Sequence, residues 1–293
     1  MTYAAPVRII DVINKTTPFF EKQGIDSPRL TIELLLAHLL GKKRLDLYLE
    51  FEKELDEPTL EKLRDMVRRR AAGEPLQYIT GETEFFGLKF AVDKRVLIPR
   101  PETELLVQTA LEQWKAAGQN ASPVIVDAGA GSGCIAVALA KHLPRAAIYA
   151  LDVSEDALAV ARENAKRNDL EKNIRFLQSD LLQNLPGTLR ADLIVSNPPY
   201  IATGELAKLP KEVRDFEPVR ALTAGEDGFE VFRRLVTDAR RVLTPSGLLA
   251  LEIGAGQRPG VEEILTQAGY DVERVAKDLQ GHDRVIVARP KMT

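Results

Sequence analysis

Short β-branched apolar runs alternating with helix-patterned segments, a glycine turn after the first run, and two late runs with no helix between them predict an α/β fold. The sheet is doubly wound (Rossmann-like) and seven-stranded, preceded by a small helical domain and a β-hairpin hinge. The expected division is a helical N-terminal domain over residues 1–75, a hinge over 76–96 and a catalytic domain over 97–293.

Taken in order, Ser27-Pro28 opens a helix with Leu30, Leu34, Leu35 and Leu39 on a recurring face and Gly41 past its end. A second helix is expected over about 58–72, with Leu60, Leu63 and Val67 at helical spacing. Residues 81–98 alternate as a hairpin around Phe85-Phe86-Gly87. The catalytic domain follows with strand 124–126, helix 135–140, strand 147–151, helix 154–168 capped by Ser154, strand 174–178 and strand 192–196. Helix 228–243, strand 247–253 and helix 260–268 lead to strands 270–275 and 284–288, expected to run antiparallel to each other.

A chain of 293 residues with 45% hydrophobic side chains can bury a large core. One cysteine excludes a disulfide scaffold and a cysteine-rich zinc site. The three histidines, His38, His142 and His282, lack metal-ligand spacing, so no metal is expected and each reads as a surface or core residue. The basic run Arg68-Arg69-Arg70 invites a nucleic-acid reading, or a patch for a protein partner. Residues 1–80 nevertheless carry equal numbers of basic and acidic side chains, which favours a solvated helix end. No signal-peptide pattern and no run of about 18 apolar residues is present, so a soluble, cytoplasmic protein is expected.

The glycine turn is Asp127-Ala128-Gly129-Ala130-Gly131-Ser132-Gly133. Glycines there permit positive φ and close approach of a ligand to backbone. A dinucleotide fingerprint started at Gly129 would need glycine at 134, where Cys134 stands. The observed G-x-G-x-G, with an acid two residues before it, resembles S-adenosylmethionine (SAM) methyltransferases. Asp152 ends the second strand, placed to accept from ribose hydroxyls. Asp180 ends the third, placed to accept from an adenine amine, with Leu181 to cover the ring. Taken singly, either acid reads equally well as a strand-end turn residue. Three acids at three successive strand ends make SAM binding the stronger reading.

The last strand before the domain's midpoint ends in Asn197-Pro198-Pro199-Tyr200. Two prolines remove two N–H donors and stop the ladder. A carboxamide and free carbonyls remain, an acceptor-rich clamp for a planar –NH2 group. The Asn197 oxygen and the Pro198 carbonyl each accept one hydrogen, while Tyr200 packs on the flat face. Without the tyrosine, an Asn-Pro turn would be the simpler reading.

The chain as a whole resembles the HemK/PrmC-type protein-(glutamine-N5) methyltransferases. Besides the glycine turn and Asn197-Pro198-Pro199-Tyr200, the likeness rests on residues 73–81 (Gly-Glu-Pro-Leu-Gln-Tyr-Ile-Thr-Gly), 97–104 (Leu-Ile-Pro-Arg-Pro-Glu-Thr-Glu) and Phe216-Glu217-Pro218. The resemblance implies methyl transfer from SAM, yielding S-adenosylhomocysteine, to the glutamine N5 of the Gly-Gly-Gln motif in peptide chain release factors. It implies SAM contacts from Gly129, Gly131, Gly133, Asp152 and Leu181, and glutamine contacts from residues 197–200. Asp127, Ala130, Ser132, Asp180 and Asn197 complete the expected cofactor wall. In segment 97–104 the prolines are expected to hold an extended loop before a helix. There Thr103 or Glu104 faces the cofactor, or Arg100 pins the loop to an acid. Because Asn-Pro-Pro-Tyr also occurs in adenine-N6 and guanine-N2 methyltransferases, a nucleic-acid amine is the alternative substrate. Against it stand the net charge of −3 and a pI near 5.8. A non-catalytic SAM-binding adaptor would leave residues 197–200 without a role. A monomer is expected.

Overall fold

The computed structural model describes residues 6–116 and 122–291; residues 1–5, 117–121 and 292–293, which the expected domain ranges include, lie outside the described residues. The chain forms two compact units, Met1–Gly81 with Lys211–Phe216, and Glu82–Pro210 with Glu217–Thr293. The first break falls inside the expected hinge, and the hairpin belongs to the second unit.

In the first unit, β1 (Val7–Arg8) leads directly into α1 (Ile9–Lys22), which runs through Pro18. Proline removes a helical hydrogen bond; burial of Ile9, Val12, Ile13 and Phe20 offsets the loss. The helix α2 (Pro28–Leu39) starts where Ser27-Pro28 predicted, and α3 (Arg44–Leu49) follows. Glu33 of α2 is 1% exposed and compensated threefold, by Arg29 Nε (2.9 Å), Arg44 Nη1 (3.1 Å) and the Tyr48 hydroxyl (2.8 Å). Strand β2 (Glu54–Leu55) pairs antiparallel with β1. Asp56 caps α4 (Glu57–Ala71), and the short α5 (Leu76–Thr80) ends at Gly81. The basic run of α4 is consumed locally. Arg68 meets Asp65, Arg69 meets Glu74 at 2.7 Å, and Arg70, 7% exposed, meets Glu212 at 2.8 Å. Each arginine of the run thus has an acidic partner.

The second unit opens with the hairpin β3 (Glu82–Phe85) and β4 (Leu88–Ala91). Phe86 and Gly87 make its turn, both at positive φ (51° and 72°), as a tight hairpin requires. The helix α6 (Pro101–Ala116) begins at Pro101, so Thr103 and Glu104 lie in a helical turn rather than the extended loop expected. Then come β5 (Val124–Ala128), α7 (Cys134–His142), β6 (Ala147–Asp152), α8 (Glu155–Arg167), β7 (Ile174–Gln178) and β8 (Ala191–Ser196). The excursion α9 (Lys211–Phe216) belongs to the first unit. Finally α10 (Glu230–Val242), β9 (Leu243–Glu252), α11 (Arg258–Gln267), β10 (Tyr270–Lys277) and β11 (Asp283–Pro290) complete the sheet.

The sheet order is β10-β11-β9-β8-β5-β6-β7, seven strands as expected. Strands β5 to β9 pair in parallel, and β11 runs antiparallel to both its neighbours. Alternate residues of each central strand face two apolar layers: Ile125, Leu193 and Ala250 meet α6 and α7, while Val126, Ile194 and Leu251 meet α10 and α11. Strand order reverses between β5 and β8, and a doubly wound sheet opens a crevice at that point, beyond the carboxyl ends of the strands. Among the described residues no helix is long and apolar enough to cross a membrane.

Candidate functional site

Because β5 and β8 are paired neighbours (Asp127 opposite Val195), the glycine turn after one and Asn197-Pro198-Pro199-Tyr200 after the other emerge side by side. The fully buried Ser196 locks the two ends, its hydroxyl donating to the Ala128 carbonyl at 2.6 Å. A cleft of about 680 Å³ opens there, within the size range of small-molecule sites.

On the β5 side, Gly129, Gly131 and Gly133 all have positive φ (79°, 52° and 78°). A Cβ at Gly129 or Gly131 would meet no protein atom within 4 Å, so backbone there is bare toward a ligand. Gly133 serves packing instead, since its Cβ would meet Ala161 of α8 at 2.9 Å. Asn164 of α8, fully buried, donates to the carbonyls of Ser132 (2.9 Å) and Ala91 (3.0 Å), tying turn and hairpin to one helix.

Asp152 sits at the mouth of the turn. Its carboxylate accepts from the N–H groups of Gly131 (2.8 Å) and Ser154 (2.9 Å). Burial raises its pKa, and those N–H groups oppose the rise. Asp127 lies deeper: wholly buried, it accepts from the Ala136 N–H at 3.0 Å, at the start of α7. Burial pushes its carboxyl up to about 7, with the Asp152 charge adding to the effect. Asp180 and Leu181 also line the cleft. Asp180 pairs with Arg234, and Leu181 holds φ +52°, a conformation costly for a side chain with a Cβ.

The structure therefore puts Gly129, Gly131, Asp152, Asp180, Leu181, Asn197 and Pro199 in the cleft wall. Asp127, Ala130, Ser132, Gly133, Pro198 and Tyr200 are not among its lining residues. Ala130 and Ser132 are buried within the turn. Tyr200 packs against the α10–α11 layer. Its carbonyl accepts from Gln257 Nε2 at 2.9 Å, and Gly254 leaves room for its ring, with only 3.1 Å to an added Cβ. Burial pushes the Tyr200 hydroxyl up to about 12, so it stays protonated. Cys134 is likewise held as a thiol, pushed up to about 12 by burial, and so is no nucleophile.

The loop into α6 joins two motifs far apart in the chain. Arg100 pairs with Glu217, whose other oxygen accepts from the Ile98 N–H at 3.2 Å. Pairing with an acid is the role the sequence left open for Arg100. Thr103 accepts from Asn197 Nδ2 at 3.0 Å, and Glu104 accepts from the Phe86 N–H at 2.7 Å. Glu104 thus holds the hairpin turn, and Thr103 backs Asn197. Local sequence reasoning missed Glu252, Gln257 and Arg234, none of which stands within thirty residues of Asn197 in the chain.

Residues 11–81 match the family model described as "PrmC N-terminal domain", and residues 101–211 match "Methyltransferase small domain". A release factor glutamine methyltransferase of Rhodopirellula baltica is 41% identical over 284 residues, covering 96% of each chain. One of Chlorobaculum tepidum is 44% identical over 283 residues, covering 94% of this chain and 95% of its own. A solved methyltransferase of Pyrococcus furiosus shares the fold at a TM-score of 0.54 and 19% identity, covering 80% of this chain and all of its own.

Proposed function

The chain belongs to the release factor glutamine methyltransferases, and from that premise we propose that its cleft transfers the methyl group of SAM to a glutamine side-chain nitrogen of a peptide chain release factor, within Gly-Gly-Gln. The observation that carries this is the juxtaposition of Asn197 with Gly129, Gly131 and Asp152 in one cleft wall.

The residues present fit the cofactor. Bare backbone at Gly129 and Gly131 accommodates a close ligand, Asp152 retains acceptor capacity for vicinal hydroxyls, and Asp180 with Leu181 flanks the position for the base. When bound, SAM supplies an electrophilic methyl carbon on a sulfonium. Asn197 Oδ1, in the cleft wall, is assigned to accept one hydrogen of the substrate amide, and the Pro198 carbonyl, next to it in the chain though outside the cleft lining, the other. A primary amide is a poor nucleophile because its lone pair is delocalised. Two acceptors localise that pair in part and stabilise the positive charge developing on nitrogen. They also fix the nitrogen's direction, which lowers the orientational cost of transfer. The proton leaves once alkylation has made the nitrogen acidic, so no histidine base is required.

The helical unit, residues 1–75 in the main, is assigned to factor recognition. Its α3 exposes Leu45 and Leu49 (71% and 86%), apolar surface of the kind that marks protein contacts. The protein is taken to act as a monomer in the cytoplasm, where its substrate works.

The test is incubation with labelled SAM and a release factor carrying Gly-Gly-Gln, beside the same factor with that Gln changed to Ala and a bulk RNA and DNA sample. Label on the Gln factor alone supports the assignment. Label on nucleic acid, or equally on both factors, overturns the substrate.

A further inference from the structure

For Asn197 to bind an –NH2 group it must present Oδ1, because its own Nδ2 is a donor and would face two more donors. A carboxamide is nearly symmetric in shape, so its partner decides which end points where. Nδ2 donates to the Thr103 hydroxyl oxygen at 3.0 Å. Thr103, 3% exposed in the first turn of α6, then has its own proton to place. The acceptor nearest to hand is the carboxyl of Glu252, the last residue of β9, 2% exposed and close enough to the Thr103 side chain for the hydroxyl to favour its charged form.

From this chain of contacts we infer that Glu252, acting through Thr103, is the positioning residue that turns the Asn197 carboxamide oxygen toward the substrate amide. The inference rests on Asn197 being the acceptor for that amide.

The direction of the chain depends on the charge of Glu252. As a carboxylate it only accepts, so the Thr103 proton points at it and the threonine lone pairs face Asn197 Nδ2. As a carboxylic acid it can donate to Thr103, whose proton is then released toward Asn197. The carboxamide is satisfied in that state by turning Oδ1 inward and Nδ2 toward the substrate. Burial pushes the Glu252 carboxyl up to about 7, against the Thr103 hydrogen bond, so both states fall within reach of ordinary buffers. Arg284 of β11, Arg100 and Glu102 at the start of α6, Tyr200 after β8 and Cys134 of α7 face this carboxyl. Its Oε2 has no hydrogen-bond partner among the described residues. A carboxyl so placed contributes little to packing that an apolar side chain would not, which is what a directing role accounts for.

The experiment measures factor methylation and SAM affinity for wild type, Thr103→Val, Thr103→Ser and Glu252→Gln, the wild type and Glu252→Gln across pH 5.5–9. Thr103→Val keeps the shape and removes the relay, so kcat for the factor falls roughly 10–100-fold with SAM affinity unchanged. Thr103→Ser restores the hydroxyl and returns most of the rate. The wild-type rate falls as pH drops through about 7. Glu252→Gln, free to bind Thr103 either way round, is slower at pH 8 and has lost that limb. Full activity in Thr103→Val, no recovery in Thr103→Ser, or an unchanged acid limb in Glu252→Gln would each overturn the inference. Failure of the wild type to methylate the factor would instead overturn the functional reading on which it rests.

Discussion

At the end of β5 the ligand-facing surface is backbone, kept bare by Gly129 and Gly131 and backed by α8 through Gly133 and Asn164. At the end of β8, one strand away, it is a single carboxamide, held from behind by Thr103 of α6, 94 residues away in the chain. The first region has to clear space and offer N–H groups, and residues adjacent in sequence can do that. The second has to fix one side chain's orientation, and that takes partners from other strands and helices. The contrast teaches that the proposed cofactor half announces itself in local sequence, through glycines and strand-end acids, whereas the carboxamide's support comes from a helix 94 residues away.

Breaking the second half at its tip has the largest effect. Asn197→Ala removes one of the two acceptors and should cut factor methylation roughly a hundred- to a thousandfold, as loss of one preorganised polar partner does elsewhere; radiolabel transfer at saturating SAM checks it. On the first half, Asp152→Ala removes a carboxylate that also braces Gly131. SAM affinity should fall by about 1.5–3 kcal/mol, the range for hydrogen bonds to charged groups, read by calorimetric titration. Arg100→Ala removes one partner of Glu217, 5% exposed, which stays bonded to Ile98. Unfolding free energy should drop by about 1–3 kcal/mol, read from urea midpoints, with no change in which nitrogen is methylated.

The smallest effect concerns Asp127, buried beneath the glycine turn at the start of α7. Its carboxyl is pushed up to about 7 from an ordinary 3.8, so the folded state holds its proton more tightly than the unfolded chain. That stability is present below pH about 4 and is lost as pH rises through about 7. Asp127→Asn should flatten part of this decline, seen as a smaller difference in Tm between pH 5 and pH 8. Glu252, raised by burial to a similar value, adds a slope of the same sign.

The same contrast explains what was legible in the sequence. The strands β5 to β9, the late antiparallel pair and the glycine turn were readable because apolar periodicity and positive-φ glycines are local signals. The helix α1 was not singled out, because Pro18 punctuates it and only tertiary burial of Ile9, Ile13 and Phe20 sustains it. The start of α6 was misread because the prolines of 97–104 suggested an extended loop, whereas Pro101 occupies the first helical position, where its missing N–H costs nothing. Asn197 was readable from its two prolines. Its support was not: Thr103 lies 94 residues before it and Glu252 lies on a different strand, and neither carries a pattern that announces the contact.

The claim that the cleft divides into two separately built halves is tested most directly by the SAM affinity of Asn197→Ala, measured calorimetrically beside wild type. The account predicts an unchanged dissociation constant alongside the collapsed methylation rate. A SAM affinity weakened in proportion to the rate would place Asn197 in the cofactor half and contradict the division.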